Sequence, residues 1–235
     1  MLKKLIPLTL LLSFLLVLVP EALSTSYANP VEATVVVSNP VTESVSTESL
    51  VTPAALSDPN SALSRAAEAA EAAARGTYPN GIAIQGGDVL ITSNTSSAGL
   101  TGHAGIVTDA SGRIASISGY GAHPAIQSMA TWFANNPNTV VIRHNDVSLA
   151  HSAGSWAASY VSQHPDATYG LVNNLRDLNE VYCSKIPWLA YFSFGLNVGG
   201  KYTVGVDEMI LPYEWLEYGR YNRFGLSVAA TFGNW

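Results

Sequence analysis

The chain has 235 residues, 48% of them apolar and only 12% charged, enough for one well-buried domain. A net charge of −6, with 11 Lys and Arg residues spread along the chain, leaves no basic patch and argues against nucleic acid and anionic lipid surfaces as partners. One cysteine and five scattered histidines offer no metal-ligand spacing. No Gly-rich phosphate loop follows a strand, so no cofactor is expected.

At the N-terminus, Lys3 and Lys4 precede an apolar run over residues 5–19 that stops at Pro20-Glu21. That run is shorter than the roughly 20 residues a membrane span needs, and Ser26-Tyr27-Ala28 places small residues at −3 and −1 of a cleavage site. Residues 1–28 are therefore expected to be a signal peptide. The mature chain would be secreted, extracellular and without a stable membrane span, with the cell wall as the expected place of association. Residues 29–60, rich in Ser, Thr, Val and Pro, cannot bury enough surface to offset ordering and read as a disordered linker. Residues 61–76 are an Ala-rich helix, with Glu71 four residues before Arg75 and Gly76 as its stop. Leu63 is its one large apolar side chain, so the helix is expected to dock weakly or not at all, leaving residues 78–235 as the folded unit.

Inside that unit, residues 88–92, 103–108, 113–118 and 139–144 read as strands, the second and third forming a hairpin through Asp109-Ala110-Ser111-Gly112. Asp88, after Gly86-Gly87, is expected to cap local backbone N–H groups. Leu149, Ala153, Trp156, Ala157, Tyr160 and Val161 fall at helical spacing before Pro165, with His144 and His151 as capping or surface residues near that helix start. A last helix runs from Cys183 to Gly195. Pro187 fixes its beginning, because proline is tolerated in a first turn, where N–H groups lack partners anyway. Trp132, Trp188 and Trp215 are expected in the core.

Cys183 is the chain's single thiol, and in an oxidising compartment cysteines normally occur as disulfide pairs. At a helix N-terminus its thiolate would be stabilised, its pKa lowered, and an oxyanion received by free N–H donors. His103, in Gly102-His103-Ala104-Gly105-Ile106-Val107, is the candidate base. Taken by themselves, Cys183 is equally a buried small hydrophobe and His103 a satisfied core histidine.

Three runs in order, Gly87-Asp88-Val89-Leu90-Ile91-Thr92, the His103 run, and Tyr182-Cys183-Ser184-Lys185 with Trp188 and Tyr191, resemble the circularly permuted NlpC-like papain-fold hydrolases of the YiiX and YycO kind over about residues 86–215. The resemblance implies an α+β papain-like fold, a small antiparallel sheet or barrel packed with helices, with Cys183 as nucleophile and His103 as base. Such enzymes commonly carry a polar or acidic residue on the next strand to orient the imidazole. Here that strand holds Ser116 and Ser118, which share one face, and no carboxylate. Ser116 is taken as the third site residue, with Ser118 and His123 as alternatives. The expected function is a cysteine amidase or peptidase acting on a peptide or acyl-amide substrate, peptidoglycan peptides included. The rivals are an acyltransferase or lipid-amide or ester hydrolase on the same fold, and a catalytically silent surface-binding module.

Overall fold

The computed structural model describes residues 58–95, 101–171, 174–201 and 208–235; the expected signal peptide and nearly all of the linker lie outside them. The protein is α+β. Its centre is β1 (Val89–Thr92), whose four residues are all buried because helices cover both faces of the sheet. β2 (His103–Val107) and β5 (Thr139–His144) flank it, both antiparallel. β3 (Ile114–Ser116) and β4 (Ala125–Gln127) extend one side and β8 (Leu226–Phe232) the other, giving the order β4-β3-β2-β1-β5-β8. β6 (Thr168–Tyr169) and β7 (Glu180–Val181) form a separate parallel pair.

Side chains alternate across each strand, and this sorts the core into two layers. Leu90, Val107, Ile114 and Val141 face α1 (Ala62–Ala74) and α2 (Met129–Asn135), packing on Ala69, Trp132 and Phe133. Val89, Ile91, Ala104, Ile106 and Ile142 face the other way, against α3 (Val147–Gln163), α4 (Lys185–Phe192) and α5 (Pro212–Arg220), with Tyr160, Trp188, Tyr191 and Trp215 filling that layer. Trp132, Trp188 and Trp215 are all fully buried. No helix among the described residues is long and apolar enough to cross a membrane.

Contrary to the expectation of weak docking, α1 belongs to the folded unit. Ala69 and Ala72 are fully buried, while Leu63 stays 45% exposed. The helix docks through its smallest residues, which let backbones approach closely. Arg65 adds directional bonds, donating from Nε to the Phe133 carbonyl at 3.2 Å and from Nη2 to the Ala134 carbonyl at 2.9 Å. It thereby satisfies carbonyls at the C-terminus of α2 that have no intrahelical partner.

Asp88 also does more than cap. It accepts from the Gln85 backbone N–H at 3.1 Å, but it is fully buried and holds Arg143 in a two-pronged ion pair, Nε to Oδ1 at 2.8 Å and Nη2 to Oδ2 at 2.7 Å. The Tyr78 hydroxyl donates to Oδ2 at 2.8 Å. Burial, reinforced by the Asp88 charge, pushes that phenol well above its ordinary value, so it stays a donor at every physiological pH.

α3 crosses this end of the sheet at backbone contact. A Cβ on Gly154 would lie 2.7 Å from the Gly87 nitrogen and 2.7 Å from the Val107 carbonyl oxygen. In an ordinary helix Gly→Ala stabilises by about 0.5–1 kcal/mol. Here the sign should reverse: Gly154→Ala is expected to destabilise by about 1–3 kcal/mol through overpacking, read as a lower urea midpoint at unchanged slope.

Candidate active site

Cys183 lies between β7 and α4, two residues before the first helical residue, and its neighbours are tied down on every side. The Ser184 hydroxyl donates to the Ile210 carbonyl at 2.7 Å, and the Ile210 N–H donates to the Tyr182 hydroxyl at 3.0 Å. The Lys185 ammonium donates to the carbonyls of Glu180 at 2.7 Å and Asn174 at 2.9 Å, pinning the segment that leads into Cys183. Burial pulls that ammonium down to about 8.

The nearby backbone N–H groups of Cys183, Ser184 and Ala104 act to lower the thiol pKa. The last follows from strand pairing. Val107 bonds to Asp88 and Gly87 on the β1 side, while Thr108 bonds to Arg113 on the β3 side. Bonding direction alternates along an antiparallel strand, so the Ala104 N–H points towards β3. β3 ends at Ser116, short of a partner for it.

Those donors would favour a thiolate, and sequence reasoning expects a lowered thiol pKa. The structure corrects this. The residue is only 6% exposed, and burial outweighs the donors, pushing the thiol above its ordinary value. An anion loses more by leaving water than a few backbone dipoles return.

His103 begins β2, paired with Thr92 of β1. By alternation its ring lies on the α1–α2 side with Gly105 and Val107, and it stacks on Trp132 with ring centroids 5.5 Å apart and planes 22° from parallel. Ala104, next to it, faces the layer that holds Cys183. Burial alone moves the imidazole from 6.5 down to about 4, so it is neutral at physiological pH.

The two residues nevertheless line one cavity of about 560 Å³ over the end of the sheet. Asn94 and Thr95 reach it from the end of β1, Thr101 and Gly102 from the start of β2, and Ser118 and Tyr120 from beyond β3. Of the loop over residues 93–101, Asn94, Thr95 and Thr101 thus line the cavity. Tyr169 and Leu171 form the wall on the Cys183 side.

Ser116 is not among the lining residues. It is buried, and its hydroxyl accepts from the Gln127 amide at 3.1 Å. Ser118 does line the cavity. His123 lies apart, its Nδ1 2.9 Å from the Ala167 carbonyl oxygen. Gln127, Asn135, Asn136 and Tyr169 are lining residues that sequence reasoning missed; none sits in a motif, and only the pairing of β4 with β3, the position of α2 and the pairing of β6 with β7 bring them in. A groove of about 630 Å³ along the outer face of α3, past Ser152, Trp156 and His164, holds neither Cys183 nor His103. Among the described residues no three His, Cys, Asp or Glu side chains could hold a metal ion.

The His103 environment predicts an acid-sensitive fold. Below about 6.5 the unfolded chain binds a proton that the native imidazole refuses until about 4, so stability is lost as pH falls through that window. The contribution is at most about 3 kcal/mol. Comparing urea midpoints at pH 7 and pH 4.5 should show a smaller acid loss in His103→Gln than in the unaltered protein.

No family model matches the chain, and no solved structure matches it. It is 31% identical over 151 residues to an uncharacterized 30.3 kDa protein of Bacillus thuringiensis, covering 59% of this chain and 54% of that protein. The chain thus spans about half the length of the curated relative it matches.

Proposed function

We propose that the protein is a secreted cysteine hydrolase of the permuted NlpC-like, papain-fold kind that cleaves an amide through an acyl-enzyme on Cys183, with His103 as base and a cell-wall peptide as substrate class. The observation that carries this reading is the cavity that Cys183 and His103 both line, where nearby backbone N–H groups of Ala104, Ser184 and Cys183 favour the thiolate against the cost of burial.

The resting site holds a neutral thiol and, across the cavity lining, a neutral imidazole stacked on Trp132, not a preformed ion pair. In the proposed reaction His103 turns from its stack on Trp132 and takes the thiol proton as sulfur attacks the carbonyl carbon. The carbonyl π electrons move to oxygen, and backbone N–H groups at the start of α4 receive that charge. Collapse of the intermediate expels the amine, which carries off the proton from His103. Water then attacks the thioester, passes its proton to His103, and releases the acid and the thiol. Ser118, at the cavity wall, is the better placed of the two serines to contact the ring.

The test is turnover of peptide amides and purified cell wall, with intact-mass detection of acylated Cys183. Activity should fall with acid as His103 is protonated at about 4. It should persist to pH values above the ordinary thiol range, because the raised thiol keeps its proton longer. The same raised thiol favours the rival reading of a silent binding module. No acylation of Cys183 by any amide, together with tight binding of cell wall, would decide for that rival.

A further inference from the structure

The walls of the Cys183 cavity share one chemical character. On the side of α2 they are amides, from Asn94, Gln127, Asn135 and Asn136; on the Cys183 side, Tyr120 meets Tyr169 edge-on with centroids 4.9 Å apart. Among the described residues no Asp, Glu, Lys or Arg lines it. The nearest charged pair of the β2–β3 hairpin, Asp109 and Arg113, sits at the opposite end of those strands.

We infer that this cavity selects a peptide whose side chains beside the scissile amide are uncharged and hydrogen-bonding, and that it rejects both carboxylate- and ammonium-bearing segments. A neutral amide or hydroxyl entering the cavity exchanges water for wall amides at little loss. A carboxylate or ammonium gives up its hydration and meets no counter-ion among the described lining residues. His103 brings no charge at neutral pH, since burial holds it at about 4. The chain's net charge of −6 adds long-range repulsion of acidic segments. This inference rests on the proposed hydrolase reading and narrows its substrate class to cell-wall peptides whose side chains beside the scissile amide are uncharged; its physical content is the selectivity of the cavity.

The test uses bromoacetyl tripeptide amides and the full chain. Each probe alkylates Cys183 by the same reaction: sulfur bonds to the methylene carbon, bromide leaves, and the thiol proton is lost to solvent. The Ser-Asn-Gln probe should inactivate at least tenfold faster, as the second-order constant read by intact mass, than either the Asp-Glu-Asp or the Lys-Arg-Lys probe. Asn94→Lys, an exposed wall position, should bring the acidic probe up to the neutral one. A charged probe as fast as the neutral one, or three equal rates, overturns the inference. A bromoacetyl N-acetylhexosamine that outruns every peptide overturns the peptide assignment in favour of a glycan. Selective alkylation without hydrolysis of the matching peptide amides keeps the cavity's selectivity and rejects the hydrolase; hydrolysis without selectivity does the reverse.

Discussion

Replacing Cys183 with alanine should lower kcat/KM on a susceptible amide by at least about a thousand-fold, the scale of losing a covalent nucleophile. The fold should be almost unaffected, within about 1 kcal/mol, because the thiol is a small buried group that alanine replaces with little loss of volume. His103→Ala should cost nearly as much activity. The double variant should be little worse than either single one, since a nucleophile and its base act as a unit and their losses do not add. The measurement is turnover paired with intact mass. Full activity in Cys183→Ala would remove the proposed chemistry altogether, and a purely additive double variant would separate His103 from it.

The largest loss of stability is expected at Asp88. Asp88→Ala strands Arg143, whose side chain is only 23% exposed, and leaves the Tyr78 hydroxyl and the Gln85 N–H without their acceptor. Breaking such a pair from one side costs about 3–5 kcal/mol, a large part of a domain's total stability. Tyr78→Phe should cost only about 1–2 kcal/mol, the share of one buried hydrogen bond. Combining Asp88→Ala with Arg143→Met should recover part of the loss, because no charge is then left uncompensated. Urea unfolding of the unaltered protein, Asp88→Ala, Arg143→Met and their combination reads the cycle; a combined loss equal to the sum of those two singles would show that the pair is not coupled.

What the sequence made legible follows the strength of its periodic signals. β1, β2, β5 and α3 stand out because Val-Leu-Ile-Thr, the His103 run, residues 139–144 and the Leu149 to Val161 stripe carry clear patterns of two or of helical spacing. β4 was invisible: Ala125 and Ile126 are exposed, so its residues carry no contrast between a wet face and a dry one. The seven residues of α2 were too few to show a stripe, and α1 was misjudged because alanine contributes little burial yet permits the closest approach. At the site, the positions of Cys183 and His103 could be named from local sequence. Their titration could not, because it depends on how much protein surrounds each group. Alternation also shows that His103 and Ala104 look in opposite directions, but not which direction holds the cysteine helix. That depends on where α4 packs.

β1 also separates two demands that proteins often struggle to meet together. Its first end is clamped by the Asp88–Arg143 pair and by the contact between Gly87 and Gly154; its last end opens into the cavity. Four strand residues hold the two roughly 13 Å apart. Substitutions beyond about 7–10 Å with no shared partner act independently, so loops at the cavity end can be rewritten while the clamp is left alone. Lineages of this fold could therefore drift in what they recognise without a matching loss of thermal tolerance. In the laboratory, a library randomised over residues 93–95 and 118–121 should retain most of its folded members, while one randomised over residues 85–88 should lose them.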